Sequence, residues 1–258
     1  MPPIFFTIQA GVATITLNRP DKLNSFNREM ALLLQEKLEE CAAAPAIRCV
    51  LITGAGKGFC AGQDLAEVID PNGPGMQRIL SEHYNPIISH IRNMPKPVVA
   101  AVNGVAAGAG ANIALACDIV VAAQSASFIQ AFSKLGLIPD SGGTYTLPRL
   151  IGWQKASAIM MLGDKIPATL AEQWGMIYKV FSDDEFGVES NKIADTLSQM
   201  PTKGLAFTKH ALSYSMTNSL EEQLLLEDEL QQKAASTHDF NEGIQAFLEK
   251  RAPHFKGE

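Results

Sequence analysis

Three short apolar runs constrain this chain most: CVLIT at residues 49–53, PVVAAV at 97–102 and IVVAA at 119–123. Each is the length of a strand, and each is followed by a stretch long enough for a helix. A strand with no polar face must be covered on both sides, which is how parallel strands sit in α/β proteins. Residues 12–17 (VATITL) alternate apolar with polar positions and predict a half-buried strand. Residues 28–44 have helical period and are stopped by Pro45. A second helix is expected from about residue 86 to 93, and DPNGPGM at 70–76 reads as a flexible surface loop.

Past Met200 the pattern changes. No strand is legible from 203 to 250, only helical period with acidic faces, as in LEEQLLLEDELQQKAA. The expected organisation is an α/β core over residues 1–200 and a helical region over 201–258. Leu220, Leu224, Leu225 and Leu226 make that region too apolar to stay exposed, so a stable oligomer is expected.

Composition excludes several classes. With 258 residues, 21 Lys and Arg against 27 Asp and Glu give a net charge of −6, which is no footprint for nucleic acid. The start, MPPIFFTIQAG, lacks a basic leader. No stretch reaches the roughly 18 apolar residues of a membrane span. Cys41, Cys49, Cys60 and Cys117 form no C-x-x-C and have no histidine at zinc-ligand spacing, so reduced thiols in a cytoplasmic protein without metal are expected.

The glycine-rich segment VLITGAGKGFCAG fails two familiar readings. In a P-loop register Lys57 is followed by glycine and Leu51 stands where the first glycine belongs. In a dinucleotide-binding register the last glycine falls on Phe59 or Cys60. There is no G-x-S-x-G elbow and no H-E-x-x-H, and the five histidines lie outside every glycine-rich segment, as surface or helix residues. What remains is two small-residue loops, FCAGQDL at 59–65 and VNGVAAGAGAN at 102–112, each after a buried strand. Small side chains leave backbone N–H groups unshielded, and a loop that opens a helix aims them at negative charge. Two such donors on one oxygen make an oxyanion hole. Tight strand-to-helix packing is the plain alternative.

FCAGQDL, PKPVVAAVNGVAAGAG, ACDIVVAA and FSKLGLIPDSGGTYTLPRLIG together resemble the crotonase (enoyl-CoA hydratase/isomerase) superfamily. NRPDKLNSF near the start and GIQAFLEKRAPHF near the end extend the resemblance to nearly the whole chain. Within the superfamily, AFSKLGLIPDSGGT and NGVAAGAGA are most similar to isomerase members that rearrange the ring epoxide of an arylacetyl-CoA. The resemblance implies an α/β fold, a crotonase-like ββα spiral core with C-terminal helices that build a trimer or a hexamer. It implies an acyl-CoA thioester as ligand, with no cofactor beyond the coenzyme A of the substrate.

By matched position, the backbone N–H groups of Gln63 and Ala109 would form the oxyanion hole. Two glutamates hold water in the hydratases of the family, and their positions here are Asn112 and Phe132. Neither can act as a base, and Phe132 would exclude water. Asp140 in GLIPDSGG matches the position of the proton shuttle in isomerases; alone, it would read as a turn or N-cap residue. Leu137, Ile138 and Pro139 are expected to give it apolar surroundings and a raised pKa. Ala61, Gly62, Asp64, Leu65, Gly110 and Phe132 fall at acyl-CoA-binding positions, with a helix cap as the alternative for Asp64. Lys22 resembles the residue that meets the CoA nucleotide, with a solvated turn lysine as the alternative. Leu23 falls at an acyl-CoA-binding position, and Phe247 and Lys250 resemble the pair that reaches a neighbouring subunit's CoA. Tyr84 is either a core residue or part of the acyl pocket, and Cys60 reads as small core.

The expected activity is isomerisation of a CoA thioester by enolate stabilisation and one Asp shuttle. An enoyl-CoA hydratase with another acid, and a non-catalytic CoA-binding subunit, are the alternatives.

Overall fold

The computed structural model describes all residues, 1–258. A six-stranded sheet is ordered β1 (Ile4–Gln9), β2 (Val12–Leu17), β3 (Cys49–Gly54), β5 (Val98–Val102), β7 (Ile119–Ala123) and β10 (Lys179–Phe181). A second sheet is ordered β4 (Gly58–Cys60), β6 (Val105–Ala107), β8 (Ser127–Ile129) and β9 (Lys165–Pro167). From β2 to β10 the large sheet is parallel, and only the edge strand β1 runs antiparallel to its neighbour.

The three apolar runs are β3, β5 and β7. Every residue of β5 is buried, as two-sided cover requires. After each of them the chain bends within a few residues into a three-residue strand of the second sheet. Repetition of strand, short strand and helix winds the chain into a ββα spiral. The helices are α1 (Arg28–Ala43), α2 (Leu65–Ile69), α3 (Gly75–Arg78), α4 (Asn85–Asn93), α5 (Ala109–Ala116), α6 (Gly143–Ile151), α7 (Trp153–Leu162), α8 (Ala168–Gln173) and α9 (Asp183–Gln199). None is long and apolar enough to cross a membrane.

Local sequence sets several boundaries. Asn27 caps α1 by accepting from Met30 N–H at 3.1 Å, and the helix ends two residues before Pro45. The expected loop at 70–76 is narrower than its composition suggested, because α3 begins at Gly75. A π-helical turn over Ile79–Tyr84 then leads directly into α4, so the helix expected from residue 86 starts earlier. His83 lies on this turn and is buried, a helix histidine rather than a surface one.

The last helices are α10 (Thr202–Tyr214), α11 (Leu220–Ala235) and α12 (His238–Glu249). Polar tethers hold them to the sheet region. The Arg48 guanidinium donates to Met200 O at 2.6 Å, Phe255 O at 2.8 Å and Thr202 Oγ1 at 3.0 Å. Buried Lys209 donates to Asp118 at 2.8 Å and to Ile91 O at 2.7 Å. Leu220, Leu224 and Leu225 on α11 are exposed, as are Phe240, Ile244, Phe247 and Leu248 on α12, while Leu226 is half-buried. All four cysteines are free and buried.

Candidate active site

The two small-residue loops meet at one end of the second sheet. Phe26 N–H donates to Gly62 O at 2.7 Å, and Asp64 N–H donates to Phe26 O at 2.8 Å. This pairing uses the residues on either side of Gln63, so the Gln63 N–H points away from Phe26 and has no acceptor. Gly62 has φ +90°, and a Cβ there would lie 3.0 Å from Ala107 O, so only glycine suits the position.

Ala109 is the first residue of α5, where an N–H has no preceding turn to accept it. Gly108 before it has φ +53°. Gly110 packs against β4 so tightly that a Cβ would lie 2.4 Å from Cys60 O. A Cβ at Gly62 would also lie 3.5 Å from Ala109 N, so the two loops pack side by side, and Gln63 and Ala109 line the same space.

That space is a cavity of about 440 Å³. Its wall includes Lys22, Ala61, Gly62, Gln63, Asp64, Leu65, Ala109, Phe132 and Asp140 among the residues expected from sequence, and Tyr84 as well. Gly110 stands behind this wall. Leu23 is exposed outside it and accepts a hydrogen bond from Ala61 N–H at 2.9 Å. Phe247 and Lys250 lie at the far end of α12, away from the cavity of their own chain. Phe247 is 83% exposed.

Asp140 is half-buried, and burial pushes its carboxyl above the usual carboxylate range, against a hydroxyl from Ser141 at 2.8 Å that pulls the other way. The N-cap alternative fails. The cap of α6 is Gly142, and the Asp140 carboxylate receives no N–H from that helix. It is the backbone carbonyl of Asp140 that accepts from Gly143 N–H at 2.8 Å. The apolar surroundings are met only in part: Leu137 lines the cavity with Asp140, while Ile138 is 80% exposed and outside it. The cavity wall beside the carboxyl also holds buried Phe132 and Tyr84.

Three other polar side chains of the wall, Tyr84, Gln63 and Asp64, have partners. Tyr84 O–H donates to Gln63 Oε1 at 2.9 Å, and Gln63 Nε2 donates to Glu67 Oε2 at 2.8 Å. Burial raises the Tyr84 pKa, so the phenol stays a neutral donor. Asp64 pairs with Arg19 at 2.8 Å, which holds its carboxyl low, and it caps α2 through Ala66 N–H. Asp64 is therefore a committed anion and no base. The Cys60 thiol is pushed up to about 12 by burial and is no nucleophile at neutral pH. Sequence reasoning missed Glu67 and Gln130. The i,i+4 spacing of Gln63 and Glu67 was a usable signal for the first. Gln130 meets its partner across 18 residues and left none.

Two backbone donors facing one small cavity, beside one unpaired carboxylate, define a site that can hold a carbonyl oxygen while a neighbouring proton is moved. The chain belongs to the enoyl-CoA hydratase/isomerase family, whose model matches residues 7–258. It is 49% identical over 253 residues, 97% of each chain, to 1,2-epoxyphenylacetyl-CoA isomerase of Escherichia coli (strain K12). It is 34% identical over 257 residues, 98% of each chain, to trans-2-decenoyl-[acyl-carrier-protein] isomerase of Streptococcus mutans serotype c. A crystal structure of enoyl-CoA hydratase from Bacillus anthracis superposes with a TM-score of 0.93 at 33% identity, covering 99% of this chain and 100% of that one. The protein is thus an enzyme of the crotonase class acting on CoA thioesters, and its fold is the ββα spiral that the resemblance implied.

Proposed function

We propose that this enzyme is an isomerase whose substrate is ring-1,2-epoxyphenylacetyl-CoA, rearranged to the seven-membered oxepin-CoA. A double-bond shift in enoyl-CoA thioesters is a related activity of the same site. One observation carries the reading: Asp140 is the only carboxylate of the cavity wall free of an ion pair. The positions where hydratases of the family hold water bear an amide engaged in hydrogen bonds, Asn112, and a phenyl ring, Phe132. The 49% identity to the E. coli isomerase supports the choice of substrate.

In a double-bond shift, the thioester oxygen accepts from the N–H groups of Gln63 and Ala109. Asp140 takes a proton from carbon, the C–H electrons move into the dienolate, and the charge rests on the thioester oxygen. Each such donor contributes about 3–4 kcal/mol to the transition state. The protonated Asp140 returns the same proton at a different carbon, so no water or redox partner enters the balance. Lys22, exposed at the cavity rim, suits the CoA phosphates.

The test is a panel of acyl-CoAs, with isomerisation of ring-1,2-epoxyphenylacetyl-CoA and of short enoyl-CoAs scored separately from hydration of crotonyl-CoA. Isomerisation is expected to exceed hydration by roughly 100-fold or more, the scale of a lost general acid–base group. Hydration as fast as isomerisation overturns the reading in favour of a hydratase. Binding without turnover of any thioester leaves the non-catalytic subunit.

The same reading includes a cytoplasmic homo-oligomer, trimer or hexamer, in which the exposed apolar faces of α11 and α12 are covered and Phe247 and Lys250 approach a neighbour's CoA. Light scattering at micromolar concentration checks it, and a monomer counts against it.

A further inference from the structure

We infer that Asn112 is a positioning residue that fixes the distance between the proton shuttle and the oxyanion hole. The inference rests on the reading of Asp140 as the shuttle. Asn112 lies on α5, about one turn after Ala109, and is 1% exposed. Its Nδ2 donates to the carbonyl of Asp140 at 2.8 Å, and its Oδ1 accepts from Gln130 Nε2 at 2.8 Å. One amide therefore ties the helix that presents the Ala109 N–H to the loop that presents the carboxylate.

The loop needs such a tie. Ser141 and Gly142, directly after Asp140, have φ +51° and +73°. A left-handed serine is a strained conformation that persists only where its surroundings hold it. The Asn112 amide is one of two donors on the Asp140 carbonyl, the other being Gly143 N–H. Gly143 closes the fit, since a Cβ there would lie 2.4 Å from Asn112 Nδ2. Gln130 orients the amide from behind. It is 1% exposed, and its own Oε1 has no partner, so its Nε2 bond to Asn112 is the polar contact it makes. The position that holds a water-activating acid in relatives that hydrate thus has a different task here. It sets where the single shuttle stands.

A misplacement near 1 Å costs on the order of 100-fold in turnover. Asn112→Ala is expected to lower kcat for enoyl-CoA isomerisation by roughly 10- to 100-fold, with KM and the Kd of the unreactive probe acetyl-CoA within about threefold. Turnover is expressed per acetyl-CoA site measured by calorimetry. A merely structural role would reduce the number of sites and leave kcat per site unchanged. Gln130→Leu is the second variant. It removes the brace and the unpartnered Oε1 and fills the same space with a side chain of similar volume. It leaves one buried acceptor, Asn112 Oδ1, without a donor, a smaller disturbance than Asn112→Ala, while kcat falls by roughly 3- to 10-fold. It decides the question if Asn112→Ala fails to fold.

Parental kcat per site in the folded variants, with Asp140→Asn inactive, overturns this inference alone. Full turnover by Asp140→Asn overturns the shuttle and this inference with it.

Discussion

Asp140→Asn is expected to lower kcat for isomerisation by roughly 10²–10⁴-fold while acyl-CoA affinity stays within about threefold. The amide keeps the size of the side chain and can still accept from Ser141 Oγ, so packing is unchanged. It cannot take a proton from carbon. On the proposed reading the thioester oxygen would still meet Gln63 and Ala109, so binding should survive.

Stability gives an independent check on the same substitution. Burial raises the pKa of Asp140 in the folded protein. The folded state therefore binds this proton more tightly than the unfolded chain does. The favourable contribution is fully present below the unfolded pKa and is lost as pH rises through the folded one. At neutral pH the ionised carboxylate does not stabilise the fold, and Asp140→Asn should melt no lower than the parent. A residue kept for structure would do the opposite.

The pH profile follows from the same shift. The base must be ionised to act, so kcat/KM of the parent should fall on the acid side with an apparent pKa above the ordinary aspartate value of about 3.9. An inactive, normally stable variant without that limb supports the shuttle. A variant that turns over within a few-fold of the parent removes it.

Gly110→Ala should also act on kcat, through the backbone. The added Cβ would sit 2.4 Å from Cys60 O and 2.7 Å from Cys60 Sγ. Neither a strand carbonyl nor a buried thiol can swing aside, so the first turn of α5 must move and take the Ala109 N–H with it. Losing one oxyanion donor costs roughly 10²–10³-fold in kcat. Overpacking of this kind also destabilises by about 1–3 kcal/mol. The control is Gly187→Ala in α9, where a Cβ meets nothing within 4 Å. That change should stabilise slightly and leave kcat alone. Thermal melting and steady-state rates on both variants test the pair. An unimpaired Gly110→Ala enzyme would mean that α5 is free to move without loss, and that Ala109 N–H is not a fixed donor.

Much of the site was legible because it depends on residue identity at fixed spacing. Gln63, Ala109 and Asp140 reach one cavity, as the matched motifs implied. Other parts were not. The second sheet escaped because three-residue strands such as Gly58–Cys60 have no period to detect. The edge strand Ile4–Gln9 had no turn signal strong enough to set it apart. The apolar run before Asp140 suggested a dry pocket, yet Ile138 faces solvent. Neighbours in sequence do not decide burial where the chain turns through two left-handed residues.

The sequence by itself determined the parallel sheet, the two small-residue loops and the lack of a carboxyl at residues 112 and 132. Hydrophobic period, small side chains and the lack of a carboxyl are local properties that no packing can alter. Only the tertiary structure decided which groups surround Asp140 and Asn112. Whether a carboxylate caps a helix or stands free depends on which N–H groups reach it, and the amide that fixes its loop lies 28 residues earlier in the chain. Such a partnership is made by the winding of the spiral, which brings α5 and the start of α6 together across β7 and β8.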